Sequence, residues 1–310
     1  MGYFVNSVVG ALVPMCVTAI VTLAITIIFK TSYTTNFAQG VISAFGAYVV
    51  ATMMDERGFP ILLSIPIGMI VAMLIAVAID VVIFRNGRYV NALGKQIITM
   101  GLISLIVGAI PLIFGKTYTP SIKSFDPKLI TFNFGDGSYA TLPVNSIIVV
   151  SITVVVVSAI FVLLRFSKWG LSVRATASNE YVAGMMGINT HVVTALSWGI
   201  AGALGALAAT INATSGQVVT GYFMTNYQVY AFLAGILGGF STFYGPVIAA
   251  LMIPLANNLI LYLFGMYTMK IDPEAQNLSG WSMVVVYAIA LVVIFFKPQG
   301  IFGKKIEKKV

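Results

Sequence analysis

The chain has 310 residues, 59% of them hydrophobic and 8% charged, with 17 Lys and Arg against nine Asp and Glu. Its strongly positive mean hydropathy belongs to an integral membrane protein, in which stretches of about 20 apolar residues match a hydrocarbon core about 30 Å thick. A separate soluble catalytic module is excluded, and a single cysteine, Cys16, and a single histidine, His191, leave no Cys or His cluster for a metal or a catalytic centre.

The first 29 residues carry no charge, so the basic flank that opens a cleavable signal peptide is missing and the first apolar segment is expected to stay as a helix. Charge-free runs then place membrane helices at 5–29, 37–54, 61–84, 96–114, 144–164, 192–211, 222–239, 247–267 and 280–296. Nine crossings within an expected range of eight to ten make an all-α polytopic protein, read as a single membrane domain over 1–310. Between the first two spans lies the uncharged polar stretch Thr31 to Gly40, TSYTTNFAQG. Asp80 is the one charge inside a span, close to its cytoplasmic end, and is expected to pair with Arg85 or reach the interface. Gly115-Lys116-Thr117 resembles the end of a phosphate-binding loop, but Ile110 occupies the position of its first glycine, so no nucleotide site of that kind exists.

After the fifth span comes a polar island, Arg165 to His191. Within it Ser178 is expected to cap a short helix over 179–186, with Glu180 in its first turn and Gly187-Ile188 as its stop. Tyr181, Met185 and Ile188 would share one face, with Val182 and Met186 beside them. Such an amphipathic helix fits either a lipid surface or insertion into a cytoplasmic partner.

From Val192 to Met269 there is no Lys, Arg, Asp or Glu, so three spans are parsed from polar and glycine clusters alone. Ala201, Gly205 and Ala209, and likewise Ala231, Gly235 and Gly239, recur every four residues and put small side chains on one helix face for close packing. The stretch Asn212 to Gln228 is rich in uncharged polar residues and, like 31–40, is a candidate border of a permeation route or a headgroup-level loop. Asn257 and Asn258 lie in mid-span, where amides facing lipid would lack partners, and are expected to face the bundle or the pathway.

Sidedness follows from the basic residues. With the tail cytoplasmic, the inner set is Lys30, Arg85, Arg88, Lys95, Arg165, Lys168, Arg174, Lys297, Lys304, Lys305, Lys308 and Lys309, leaving Arg57, Lys116, Lys123, Lys128 and Lys270 outside. The net charge of +8 is thereby explained by orientation and anionic lipid, without a nucleic-acid partner.

Several motifs resemble one family in order along nearly the whole chain. Arg174-Ala175, Ala177, Asn179, Ala183 and Gly187-Ile188-Asn189 are similar to the cytoplasmic coupling segment of branched-chain amino acid ABC transporter permeases. Asn36-Phe37-Ala38-Gln39-Gly40 with Gly46-Ala47-Tyr48, Leu237-Gly238-Gly239 with Gly245, and the ending Pro298-Gln299-Gly300-Ile301-Phe302-Gly303 agree as well. The NFAQG form is closer to the LivH-type subunit. Gln39 stands where the family has histidine, Phe29-Lys30 where Tyr-Gly is common, and Phe240 interrupts the glycine-rich loop.

The resemblance implies an ABC importer permease fold in a bacterial inner membrane. It also implies a pore shared with a second permease subunit, two cytoplasmic ATPases that use ATP and Mg, and an extracytoplasmic solute-binding protein, with no cofactor on this chain. It places Arg174, Asn179, Glu180, Tyr181, Val182, Ala183, Met185, Met186, Gly187, Ile188 and Asn189 at the ATPase, within a coupling segment 165–191. Asn36, Gln39, Asn257 and Asn258 are the candidates for the pathway. The expected solutes are Leu, Ile and Val, with urea, short amides or another small polar solute as the alternative. A self-sufficient carrier or channel is a different class, and the lack of mid-membrane charge argues against a carrier.

Overall fold

In the computed structural model, which describes residues 2–87, 90–115, 119–134, 137–270 and 276–303, helices occupy all nine apolar segments. They are α1 (Gly2–Ser32), α2 (Gln39–Asp55), α3 (Ile61–Ile79), α4 (Ala92–Phe114), α5 (Val144–Phe166), α6 (Lys168–Ser178), α7 (Glu180–Met185), α8 (Thr190–Ala213), α9 (Thr225–Gly238), α10 (Tyr244–Lys270) and α11 (Ser282–Phe296). A π turn, Asp80–Phe84, extends α3, and a 3-10 turn, Gln276–Trp281, precedes α11.

Among the described residues, six helices meet the length and hydropathy of a membrane span: α1, Ile61–Phe84, α4, α5, α8 and α10. Against the nine spans expected, α2, α9 and α11 are shorter, with 17, 14 and 15 residues. At 1.5 Å per residue, α9 reaches about 21 Å, short of a hydrocarbon core. The apolar residues of α2 and α9 are hydrophobic because protein surrounds them, which composition does not distinguish from lipid.

Burial sorts the helices into an axis and a periphery. The most apolar part of α1 is 78% buried against 22% for α4 and α5, and α1 packs on α8, α9 and α10. Its single Cys16 is buried. Small residues let α2, α3 and α8 approach backbone to backbone: a Cβ on Gly202 of α8 would lie 2.5 Å from the Ala72 carbonyl oxygen of α3. The α8 stripe is consumed inside the chain, since Ala201 and Ala209 are buried and a Cβ on Gly205 would meet the side chain of Gln39. In the second stripe, Gly235 is covered by the Phe240 ring.

A hairpin that sequence reading did not foresee pairs β1 (Leu129–Asn133) antiparallel with β2 (Tyr139–Pro143), Thr131 opposite Thr141. It is tied to the start of α1: Gly2 N–H donates to Ser138 Oγ at 3.0 Å, Asn6 Nδ2 to the Tyr139 carbonyl at 3.0 Å, and Thr141 N–H to Asn6 Oδ1 at 2.8 Å. This end also holds Lys123, Lys128 and, between α2 and α3, Arg57.

At the opposite end, Lys30 Nζ donates to the Ser241 carbonyl at 2.7 Å, and Ile301 N–H to the Leu237 carbonyl at 2.7 Å. Lys30, Arg85, Lys95, Arg165, Lys168, Arg174 and Lys297 all belong to this end, as the sidedness argument requires. Arg88, Lys116 and Lys304 to Lys309 lie outside the described residues.

Candidate functional site

The centre of the molecule is built around a break between α1 and α2. After α1 ends at Ser32, residues 33–38 are not helical, and α2 starts at Gln39. Gln39 Nε2 donates to the Ala201 carbonyl at 2.9 Å, and Ala201 lies midway along α8, so this non-helical backbone sits at membrane depth. The headgroup-level alternative for residues 31–40 is thereby corrected: Thr34 and Asn36 are buried. Backbone of this kind survives at such depth only when protein satisfies its polar groups.

Amide side chains do so here. Asn36 Oδ1 accepts the Ala38 N–H at 3.0 Å, and Asn36 Nδ2 donates to Gln39 Oε1 at 3.2 Å. Gln228 of α9 accepts the Gly40 N–H on its Oε1, while its Nε2 donates to the Phe37 carbonyl at 2.7 Å. Thr99 Oγ1 of α4 accepts the Phe37 N–H at 3.3 Å. Two short helices, α2 and α9, therefore begin side by side at mid-depth, and their positive dipole ends meet an uncharged, fully hydrogen-bonded amide cluster. The structure brings Asn36 and Gln39 together. Gln228, the third member, was legible only as part of a polar stretch.

On the outer side of this cluster a cavity of about 670 Å³ opens between the hairpin, α1, α5 and the end of α8. Amides and hydroxyls of Asn6, Asn145, Asn212, Gln217 and Tyr227 line it, over an apolar floor that includes Val13. Asn258 lies on the seam between α1 and α10, where its carbonyl accepts the Ser7 hydroxyl at 2.7 Å and its Nδ2 donates to the Pro254 carbonyl at 3.0 Å. It lines a neighbouring cavity of about 370 Å³ with Asn6 and Tyr262. Asn257 Oδ1 is buried with no hydrogen-bond partner among the described residues. These two asparagines belong to α10 and are not part of the amide cluster at the start of α2.

The polar island folds as two helices, α6 and α7, beneath the bundle. Asn179 caps α7, its Oδ1 accepting the Val182 N–H at 3.0 Å, while Ser178 is the last residue of α6. The expected Ser178 cap is thus corrected by one residue: the chain is extended at Asn179 (φ −160°), the geometry a cap needs. Gly187 ends the helix at φ 85°, and Ile188 N–H returns to the Ala183 carbonyl at 3.0 Å, a glycine-dependent C-cap. Asn189 in turn caps α8 through the Val192 N–H at 3.3 Å.

Tyr181 and Met186 are 76% and 79% exposed, with Val182 and Met185 also exposed, whereas Ala183 is buried. Ile188 packs against the core and does not share the exposed face, a second correction. Glu180 turns toward a cavity of about 250 Å³ shared with Asp80, Arg85, Lys95 and His191. Asp80 is buried and shares this cavity with Arg85, the partner expected for it, and Thr194 Oγ1 lies 3.5 Å from its Oδ2. Arg174 donates to the Leu164 and Arg165 carbonyls, clamping α6 under α5.

The late glycine loop and the C-terminal motif form one contact. A Cβ on Gly300 (φ +83°) would lie 2.5 Å from the backbone nitrogen of Gly239, so the Pro298–Gly303 ending is fitted directly to the Leu237–Gly239 turn.

A helical bundle with a polar break at its centre and a cavity toward each end has the architecture of a membrane permease. The chain belongs to the family described as the permease component of the branched-chain amino acid transport system, whose pattern matches residues 7–294. It is 26% identical to the high-affinity branched-chain amino acid transport system permease protein LivH of Salmonella typhimurium, over 89% of this chain and 87% of that one. It is 25% identical to the probable branched-chain amino acid transport permease protein LivH of Methanocaldococcus jannaschii, over 90% and 87%. It also resembles the fructose import permease protein FruF of Bifidobacterium longum, 26% identical over 93% and 78%. No solved structure matches the chain significantly. The protein is a multi-pass transport subunit of the bacterial inner membrane.

Proposed function

We propose that this chain is the membrane subunit of an ATP-driven importer for Leu, Ile and Val, acting as one transport domain over its whole length with 165–191 as its coupling segment. It works with a second permease subunit, two cytoplasmic ATPases that bind ATP and Mg, and an extracytoplasmic solute-binding protein, and it holds no cofactor itself. The observation that carries the reading is the exposed apolar face of α7 on the cytoplasmic side, a contact surface too greasy to be left to water, in a chain of this family.

Mechanically, Arg174, Asn179, Glu180, Tyr181, Val182, Ala183, Met185, Met186, Gly187, Ile188 and Asn189 form and frame the knob that an ATPase grips. Closure of the ATPases on ATP displaces α6 and α7, which rocks α5 and α8, to which they are joined end to end. Solute enters by the outer cavity, and the Asn36, Gln39 and Gln228 amides form the gate below it. On α10, Asn258 borders the route through the neighbouring cavity that it lines, with Asn257 next to it in sequence. The outer cavity is lined mainly by neutral amides and hydroxyls, with the Asp126 carboxylate among them, which suits a solute that has no net charge but carries an ammonium group.

A second reading, import of another small neutral solute such as urea, a short amide or a sugar, is favoured by the fructose-permease relative. Both are tested by reconstituting the complete transporter in liposomes with ATP and Mg inside. Radiolabelled leucine uptake is then competed by isoleucine, valine, urea and fructose. Competition by fructose but not isoleucine would replace the first reading with the second. Accumulation of solute by this chain alone would sink both.

A further inference from the structure

We infer that Tyr33 is a positioning residue that ties the cytoplasmic helix pair to the broken segment before α2, so that displacement of α6 and α7 reaches the amide cluster directly. This rests on the functional reading above, in which α6 and α7 receive the work.

Tyr33 is the one non-glycine residue with positive φ (49°) among the described residues, a conformation that a bulky side chain rarely adopts. It sits at the turning point: its N–H closes the last turn of α1 on the Phe29 carbonyl at 2.9 Å, and the chain leaves the helix just after it. From there its hydroxyl reaches out and donates to the Ala177 carbonyl, at the end of α6, at 2.7 Å. Ala177 immediately precedes Ser178 and the Asn179 cap of α7.

The next residue, Thr34, is buried and lines the cavity that Glu180 of α7 enters. Two residues further, Asn36 begins the amide cluster through Ala38 and Gln39. One hydroxyl therefore joins the end of α6 to the short non-helical stretch that leads to the polar centre. Helix α8 reaches the same cluster at Ala201, half its own length away; the Tyr33 route spans Tyr33 to Asn36. Residue type matters, because the acceptor is a main-chain carbonyl that no substitution at Ala177 removes.

The test is Tyr33→Phe in the complete reconstituted transporter, reading both ATP hydrolysis and solute uptake. Phenylalanine keeps the ring and its contact with Phe29 and deletes only the hydroxyl. ATP hydrolysis should persist while solute moved per ATP falls about fivefold, the population shift that one hydrogen bond of ordinary net strength supports. Tyr33→Gly, which relaxes the backbone and also lacks the hydroxyl, should show the same lowered ratio. An unchanged ratio in Tyr33→Phe overturns the inference alone, as does a parallel loss of hydrolysis and uptake or a failure to assemble, each of which assigns Tyr33 a purely structural role. A wild-type transporter with no ATP-dependent uptake overturns the functional reading, and the inference with it.

Discussion

Gln228 holds Gly40 by accepting its backbone N–H, and with its other amide atom it holds the Phe37 carbonyl, so one side chain of α9 closes the break ahead of α2 from both sides. Gln228→Leu leaves two buried main-chain groups without partners. At about 1–3 kcal/mol for each orphaned group, the melting temperature in detergent should drop by several degrees or the protein should fail to accumulate. Equal melting of Gln228→Leu and wild type would mean that the cluster is not satisfied in this way.

Glycines in this chain differ sharply in what surrounds them. A methyl at Gly202 meets the Ala72 carbonyl, whereas one at Gly184, on α7, meets nothing within 4 Å. Gly202→Ala should cost about 1–3 kcal/mol of stability by forcing α3 and α8 apart. Gly184→Ala should be neutral or slightly stabilising through its helix propensity. Thermal melts of the two purified variants decide this, and the reverse order would contradict the close approach of α3 and α8.

The cap of α7 separates two adjacent residues that look interchangeable in sequence. Asn179→Ala removes the acceptor for Val182 N–H and should weaken α7 by about 1 kcal/mol, while Ser178→Ala should change little. Hydrogen exchange across 180–186 in the intact protein measures it: faster exchange belongs to Asn179→Ala alone.

Charge on the exposed face of α7 should separate folding from assembly. Met186 contacts solvent over most of its surface, so Met186→Glu should leave the melting temperature within the small range of surface substitutions. It should nevertheless abolish co-purification with the ATPase subunits and ATP-dependent uptake, because a buried unpaired carboxylate at an interface is costly. Full uptake by a stable Met186→Glu complex would remove α7 from the ATPase contact.

Much of the fold was legible because hydrophobic runs between charges are a strong signal. The expected span 61–84 coincides with Ile61–Phe84, and 144–164 with Val144–Phe166 to within two residues. The failures have physical causes. The stretch 222–239 is apolar enough to suggest a crossing, but Gln228 and the turn before Thr225 serve a protein interior, and only tertiary contacts reveal that α9 is a half-length helix. The hairpin over 129–143 was invisible because β1 shows no alternation of buried and exposed residues, so period-two patterning carries no signal. At the site, Asn36 and Gln39 were named from polarity at depth, and they belong to one hydrogen-bonded cluster. Gln228 was missed because its partners are main-chain atoms more than 180 residues away.

Cys16 is the chain's single cysteine and lies inside the axial helix, which makes the protein its own background for thiol chemistry. A cysteine introduced at Gln217 in the outer cavity would be this chain's one sulfhydryl within reach of a charged, membrane-impermeant maleimide. Its labelling rate, followed with and without nucleotide, turns the opening and closing of that mouth into a directly timed signal.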